Sequence, residues 1–152
     1  MYWMEDVGEQ QAIRSKSPWG QIRTLATGAF GPARWLTATP EELGYFLKGD
    51  VLHRVSADGQ LKLVTGHLSR KPAPNYALMG LWTDGAGRVY VANTHDSIVQ
   101  RVASRGAVSI VAKGSAGWTA SGGTVAPNGD LWLLEYSAAN AVRVRCITGG
   151  GK

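Results

Sequence analysis

Apolar residues along this chain alternate with polar ones in short runs, and Gly, Asp, Asn and Pro interrupt the runs at close intervals. That pattern predicts half-buried strands joined by tight turns. It is clearest over 78–114. Leu78–Thr83 is a first strand, with a turn at Asp84-Gly85-Ala86-Gly87. Residues 88–93 (Arg-Val-Tyr-Val-Ala-Asn) form a second, Ile98–Val102 a third and residues 108–112 a fourth. The same template predicts strands at 122–126, 130–135 and 141–146. Upstream it predicts 34–38, 44–48, 51–55 and 61–65, and then 1–5, 11–14 and 22–26, which match strands two to four of a unit without its first. Superposed, Tyr2, Tyr90 and Trp132 share one position, and Arg14, Arg54, Arg101 and Arg145 another. No stretch keeps a helical period, and Pro40-Glu41-Glu42 begins one turn at most.

The units repeat a phrase. Gly-Gln-Ile-Arg-Thr-Leu-Ala-Thr-Gly at 20–28 returns as Gly-Gln-Leu-Lys-Leu-Val-Thr-Gly at 59–66 and Gly-Ala-Val-Ser-Ile-Val-Ala-Lys-Gly at 106–114. A period of roughly 40–50 residues built from short strands is the mark of propeller-type arrays. Four consecutive antiparallel strands make one blade. The expected fold class is therefore all-β, a β-propeller segment of about three and a half four-stranded blades. The blades fall near 1–28, 29–66, 67–114 and 115–147, with 148–152 as a flexible tail. Closed propellers have about four blades or more, so two ends would stand open. Two explanations follow: part of a longer propeller, or two copies of the chain meeting to cover the open edges.

Composition agrees. Gly accounts for 20 of 152 residues, and six Trp and five Tyr stand against two Phe, a balance suited to tight turns and pleated surfaces. The net charge of +5 raises nucleic-acid binding, but the positive residues do not cluster, and Arg70-Lys71 is their longest run. A solvated basic surface is the expectation, without nucleic acid or membrane as partner. No stretch approaches the ~20 apolar residues of a membrane helix. The first residues show no basic and apolar leader pattern, which leaves the compartment open. Cys146 is the single cysteine, so neither an intrachain disulfide nor a cysteine zinc cluster is expected.

Gly80-Leu-Trp-Thr-Asp84 followed by Gly87-Arg-Val-Tyr-Val-Ala-Asn93 resembles the NHL repeat, and Ile22-Arg-Thr-Leu-Ala26 is similar to its fourth strand. Tyr2-Trp3-Met4-Glu5 resembles the related Tyr-Trp-Thr-Asp propeller repeats. The resemblance spans nearly all of 1–147 and implies the propeller fold. It implies little about activity, because such propellers include binding scaffolds, sensors, lyases and gluconolactonase-like, calcium-dependent hydrolases. The hydrolase branch implies an Asn just before the glycine that opens strand one. Here Met79 and Ser121 precede Gly80 and Gly122, and Trp35 stands near the corresponding point. No metal or other cofactor is expected in these blades, and calcium is not supported by them. Glu5, Asn93 and Glu135 end second strands at equivalent places, where the resemblance implies a structural role.

In a meander of this kind, loops from strand four to the next strand one share a face with loops between strands two and three. That face collects 6–10, 29–33, 66–76, 94–97, 115–121 and 136–140, two of them long (66–76 and 114–123). Long loops at one end of a rigid scaffold are where binding concentrates. The candidate ligand residues are His67, Arg70, Lys71, Tyr76, His95 and Trp118, a cationic and aromatic set suited to an anionic or sugar-like ligand. Each also has a purely structural use: solvated cations, a Trp packed between blades, histidines that cap turns. Metalloprotease, phosphate-loop and serine-elbow motifs are absent from the sequence. The expectation is a non-catalytic binding scaffold for a small polar ligand, glycan or peptide, self-associating as a homodimer. The alternative is a lactonase- or esterase-like metal-dependent hydrolase with an incomplete site in this chain.

Overall fold

The computed structural model describes residues 1–31, 33–39, 41, 43–69, 78–149 and 151. Every regular element among them is a strand. The first sheet holds β1 (Tyr2–Val7), β2 (Gln10–Lys16) and β3 (Ile22–Gly28). The second holds β4 (Ala33–Ala38), β5 (Gly44–Lys48), β6 (Val51–Val55) and β7 (Leu61–Thr65). The third holds β8 (Leu78–Thr83), β9 (Val89–Asn93), β10 (Ile98–Val102) and β11 (Val108–Lys113), and the fourth β12 (Trp118–Val125), β13 (Leu131–Ser137) and β14 (Val142–Ile147). Each sheet is an antiparallel meander in chain order. β4 packs on β8 and β8 on β12, so the first strands form a common inner edge. β1 meets β4 as β9 meets β12, which makes β1 a second strand, as the repeat predicts.

The alternation of each strand gives its sheet two apolar faces, and successive sheets stack on them. Ile13 of the first sheet packs with Phe46 and Val55 of the second, and with Phe30 at their junction. Tyr45, Leu47 and Leu52 meet Leu78, Val89, Val91 and Val102 in the next seam. Trp82, Tyr90, Ala92 and Val99 meet Ala120, Leu131 and Leu133 in the last, with the Trp82 and Tyr90 rings stacked 5.7 Å apart. Each fully buried Leu, Ile or Phe contributes about 1.5–3 kcal/mol relative to exposure. Sheets that pack face to face in series thus need no separate core.

Two kinds of bulge recur, each in three of the four sheets. In first strands the register skips Trp35, Met79 and Ser121. In fourth strands it skips Leu25, Val64 and Val111. The bulges explain two glycines of the repeated phrase. Gly59 and Gly106 have φ of 85° and 88°, and a Cβ there would lie 2.1 Å from the Leu25 carbonyl oxygen and 2.3 Å from that of Val64. Only glycine allows both the backbone angle and the approach of the preceding sheet.

Three expectations need correction. The four arginines do not share a position: Arg54 pairs with Tyr45 and Arg101 with Tyr90, residues that face the following sheet. Arg14 pairs with Trp3 and Arg145 with Leu133, on the opposite face. A one-residue slip in pairing turns a side chain over, and sequence alignment does not see it. The loop expected at 114–123 is mostly strand, because β12 starts at Trp118. Gly149 and Gly151, placed in a flexible tail, are tied back: Gly149 N–H donates to Asp130 Oδ1, Gly151 N–H to the Gly129 carbonyl, and the Tyr90 hydroxyl to the Gly151 carbonyl.

Candidate functional site

Hydrogen bonds join the inter-blade loops side by side on the expected face. Leu68 N–H donates to the Asp50 carbonyl, and Asn93 Nδ2 donates to the Leu68 carbonyl. Gly114 N–H donates to the Ser97 carbonyl. Asn93 also accepts from the Asp96 N–H, so its amide fixes its own turn and the loop of the preceding blade. Glu5 accepts from the Trp3 indole N–H and from Arg14. These contacts lower the pKa of the Glu5 carboxyl, the Trp3 hydrogen bond most, against a smaller opposing effect of burial. Both side chains therefore have structural partners.

Between the third and fourth sheets the same face holds a depression of about 500 Å³, lined by Ser97, 114–119, Tyr136 and Ala138. Trp118 opens β12 at its edge and is half-buried. The Arg143 guanidinium lies 4.2 Å from the Trp118 ring centroid, a cation–π contact. Arg143 is itself held by Glu135 at 2.8 Å and by the Ser115 hydroxyl. Glu135 is fully buried and also accepts from Arg145, whose other nitrogen donates to the Lys113 carbonyl across the seam. One carboxylate thus orients two arginines, which fix the aromatic ring and the loop before it. The other residues that line the depression are uncharged: Ser97, 114–117, Thr119, Tyr136 and Ala138, with the Ser97 and Thr119 hydroxyls 3.5 Å apart. That surface can stack a planar or pyranose face and offer hydrogen bonds at its rim.

Of the six candidate residues, Trp118 lines this depression. His67 is exposed, has φ of 57° and sits 3.7 Å from Asp50. His95 is exposed in the 94–97 turn, and neither histidine lines the depression. Arg70, Lys71 and Tyr76 lie outside the described residues. Ser115 and Tyr136 lie in loops assigned to the expected face but were not named as ligand residues, and Arg143 was not foreseen. The alternation Arg143-Val144-Arg145 opposite Glu135 is its signal, legible once the register of β13 and β14 is known. Among the described residues no three His, Cys, Asp or Glu side chains come together. Trp35 Nε1 donates to the Leu78 carbonyl and Ser121 Oγ to the Leu134 carbonyl, so two of the three bulged inner-strand residues join strands.

Neither protein-family models nor curated protein sequences match the chain. Solved structures do. A virginiamycin B lyase from Staphylococcus aureus superposes with a TM-score of 0.58 at 14% identity, over 90% of this chain and 48% of that one. A gluconolactonase from Xanthomonas campestris gives 0.60 at 11% identity over 79% and 45%. A regucalcin, a calcium-binding protein from Agrobacterium tumefaciens, gives 0.52 at 15% identity over 83% and 49%.

The chain is a partial β-propeller.

This propeller segment spans about half the length of those three structures. At such identities the likeness is one of fold, and lyases, lactonases and a calcium-binding protein share it.

Proposed function

We propose that this propeller segment is a non-catalytic binding scaffold, and that its ligand is a glycan or another small polar ring held against Trp118 on the long-loop face. The carrying observation is the fixed Trp118 ring at the edge of a depression whose other polar groups are neutral hydroxyls and backbone. An aromatic ring immobilised before binding loses little entropy when a ligand stacks on it. Arg143 and Glu135 act as positioning residues: Glu135 with Arg143 and Arg145 leaves one net positive charge behind the ring, while the residues that line the depression carry no charge. A lactonase-like hydrolase would place oxygen ligands on the inner strands, where this chain has Trp35, Met79 and Ser121 at the bulges. The binding reading is therefore preferred.

The test is a titration of neutral and anionic oligosaccharides by calorimetry against the wild type and Trp118→Ala. The reading expects a neutral glycan to bind, and affinity to fall at least tenfold in the variant while melting stays close to wild type. Binding that survives Trp118→Ala, or release of a hydrolysed product, would overturn it.

A further inference from the structure

We infer that the open outer face of the fourth sheet docks the open face of the first sheet of a second copy, closing two chains into one ring. On β13 and β14 the cross-strand pairs Leu134–Val144 and Tyr136–Val142, with Trp132 beside Cys146, all lie on the side away from the third sheet. Trp132 is 43% exposed, Leu134 46%, Val142 66% and Val144 63%. These are the positions that face the next sheet elsewhere: Trp132 and Leu134 correspond to Tyr90 and Ala92, which are fully buried in the third seam. An apolar row kept at repeat-equivalent positions and left uncovered marks an interaction surface.

Gly122 carries the same imprint. Its counterpart Gly80 lies so close to the fourth sheet that a Cβ would stand 2.4 Å from the Ser121 carbonyl oxygen. Gly122 lies inside β12, where glycine weakens a strand, and nothing lies within 4 Å of its Cβ position. The hollow that a neighbouring sheet fills at Gly80 is thus open at Gly122.

The occupant is argued from the other end of the chain. The first sheet's open face carries Trp3 and the Glu5–Arg14 pair at the positions of Leu133 and the Glu135–Arg145 pair. Within the chain, the Leu133 and Glu135–Arg145 face seats against Tyr90 and Ala92, and Arg145 donates across the seam to the Lys113 carbonyl. The two open faces are therefore the two halves of one seam that the chain already makes between its own sheets. The chain spans about half of the solved propellers it superposes on. A head-to-tail contact of this kind gives a closed dimer when the second seam forms on the far side of the ring.

The experiment is light scattering on a size-exclusion column, from dilute to concentrated protein, with Leu134→Glu and Gly122→Val alongside the wild type. Labelling of Cys146 by a bulky thiol reagent follows coverage of the same face. The expected result is twice the 16.2 kDa chain mass for the wild type, slowed labelling as the dimer forms, and the single-chain mass for both variants. Gly122→Val puts its Cβ in open space, and a variant that is a monomer while keeping the wild-type urea midpoint in dilute solution reports the interface. A wild type that is monomeric throughout, a dimer that survives both substitutions, or a monomer whose face is taken by a different polypeptide would each overturn the inference.

Discussion

Gly80 and Gly122 follow the bulged residue of two first strands, and the same substitution at each gives opposite results. Alanine at Gly80 places a methyl 2.4 Å from the Ser121 carbonyl oxygen and 3.0 Å from the Gly122 Cα. Both neighbours are backbone inside β12, so relief requires moving a whole strand. Inserting a carbon into so tight a contact costs about 1–3 kcal/mol, and the loss of unfolded-state freedom returns about 0.4–1 kcal/mol. The net expectation for Gly80→Ala is a loss of roughly 1.3 kcal/mol, or about 3–5 °C in Tm for a chain of this size. Gly122→Ala meets nothing within 4 Å and has an ordinary backbone angle, so it gains about 0.4–1 kcal/mol. Urea unfolding followed by tryptophan fluorescence in dilute solution, where chains are separate, reads both values. Equal effects at the two sites, or a destabilised Gly122→Ala in the isolated chain, would refute the packing argument.

Three further expectations follow from the interior. Glu135 is fully buried between Arg143 and Arg145, whose side chains stay 34% and 27% exposed, so removing it costs less than the ~3–5 kcal/mol of breaking a fully buried pair. Glu135→Ala should therefore lower the urea midpoint and red-shift the tryptophan emission as the Trp118 ring loses its support, and an unchanged midpoint would count against the cluster. Burial lowers the pKa of His53, with the nearby positive Lys48 acting the same way and a Val51 backbone contact opposing. Because the folded pKa is depressed, this contribution is present above the unfolded value of about 6.5 and is lost as pH falls below it. His53→Leu should flatten that part of the stability profile, measured by melting across pH. The Asp84 carboxyl is raised by burial but lowered more by the Arg88 N–H, the Arg88 side chain and the Tyr90 hydroxyl. Its contribution is present above the usual aspartate pKa and is lost as pH falls through the lower folded value, and Asp84→Asn should remove that acid-range dependence. Calcium is expected to leave Tm unchanged. A concentration-dependent rise would show a ligand of the native state and favour the hydrolase reading.

Strand positions and turns could be read almost residue by residue, because a half-buried strand must alternate and a tight turn must use Gly, Asn or Asp. Gly44–Lys48, Val51–Val55, Leu61–Thr65, Leu78–Thr83 and Ile98–Val102 stand where the pattern puts them. The repeated phrase also showed that β1 is a second strand, since Tyr2 aligns with Tyr90. Which loops share a face followed from chain direction alone, through the alternation of loops between the two ends of a meander.

Tertiary structure decided what depends on register and on neighbouring sheets. Arg14 and Arg145 share a face that Arg54 and Arg101 do not, because pairing across strands, and not spacing along one, sets which way a side chain points. Trp118 moved from loop to strand edge because Ser137 and Tyr136 extend to meet it. Arg143 became part of the site only when Glu135 turned it onto that ring. Gly80 and Gly122 read alike in sequence. Only packing shows that one is pressed against a neighbouring backbone and the other has open space, since the space around a residue belongs to the fold and not to the strand.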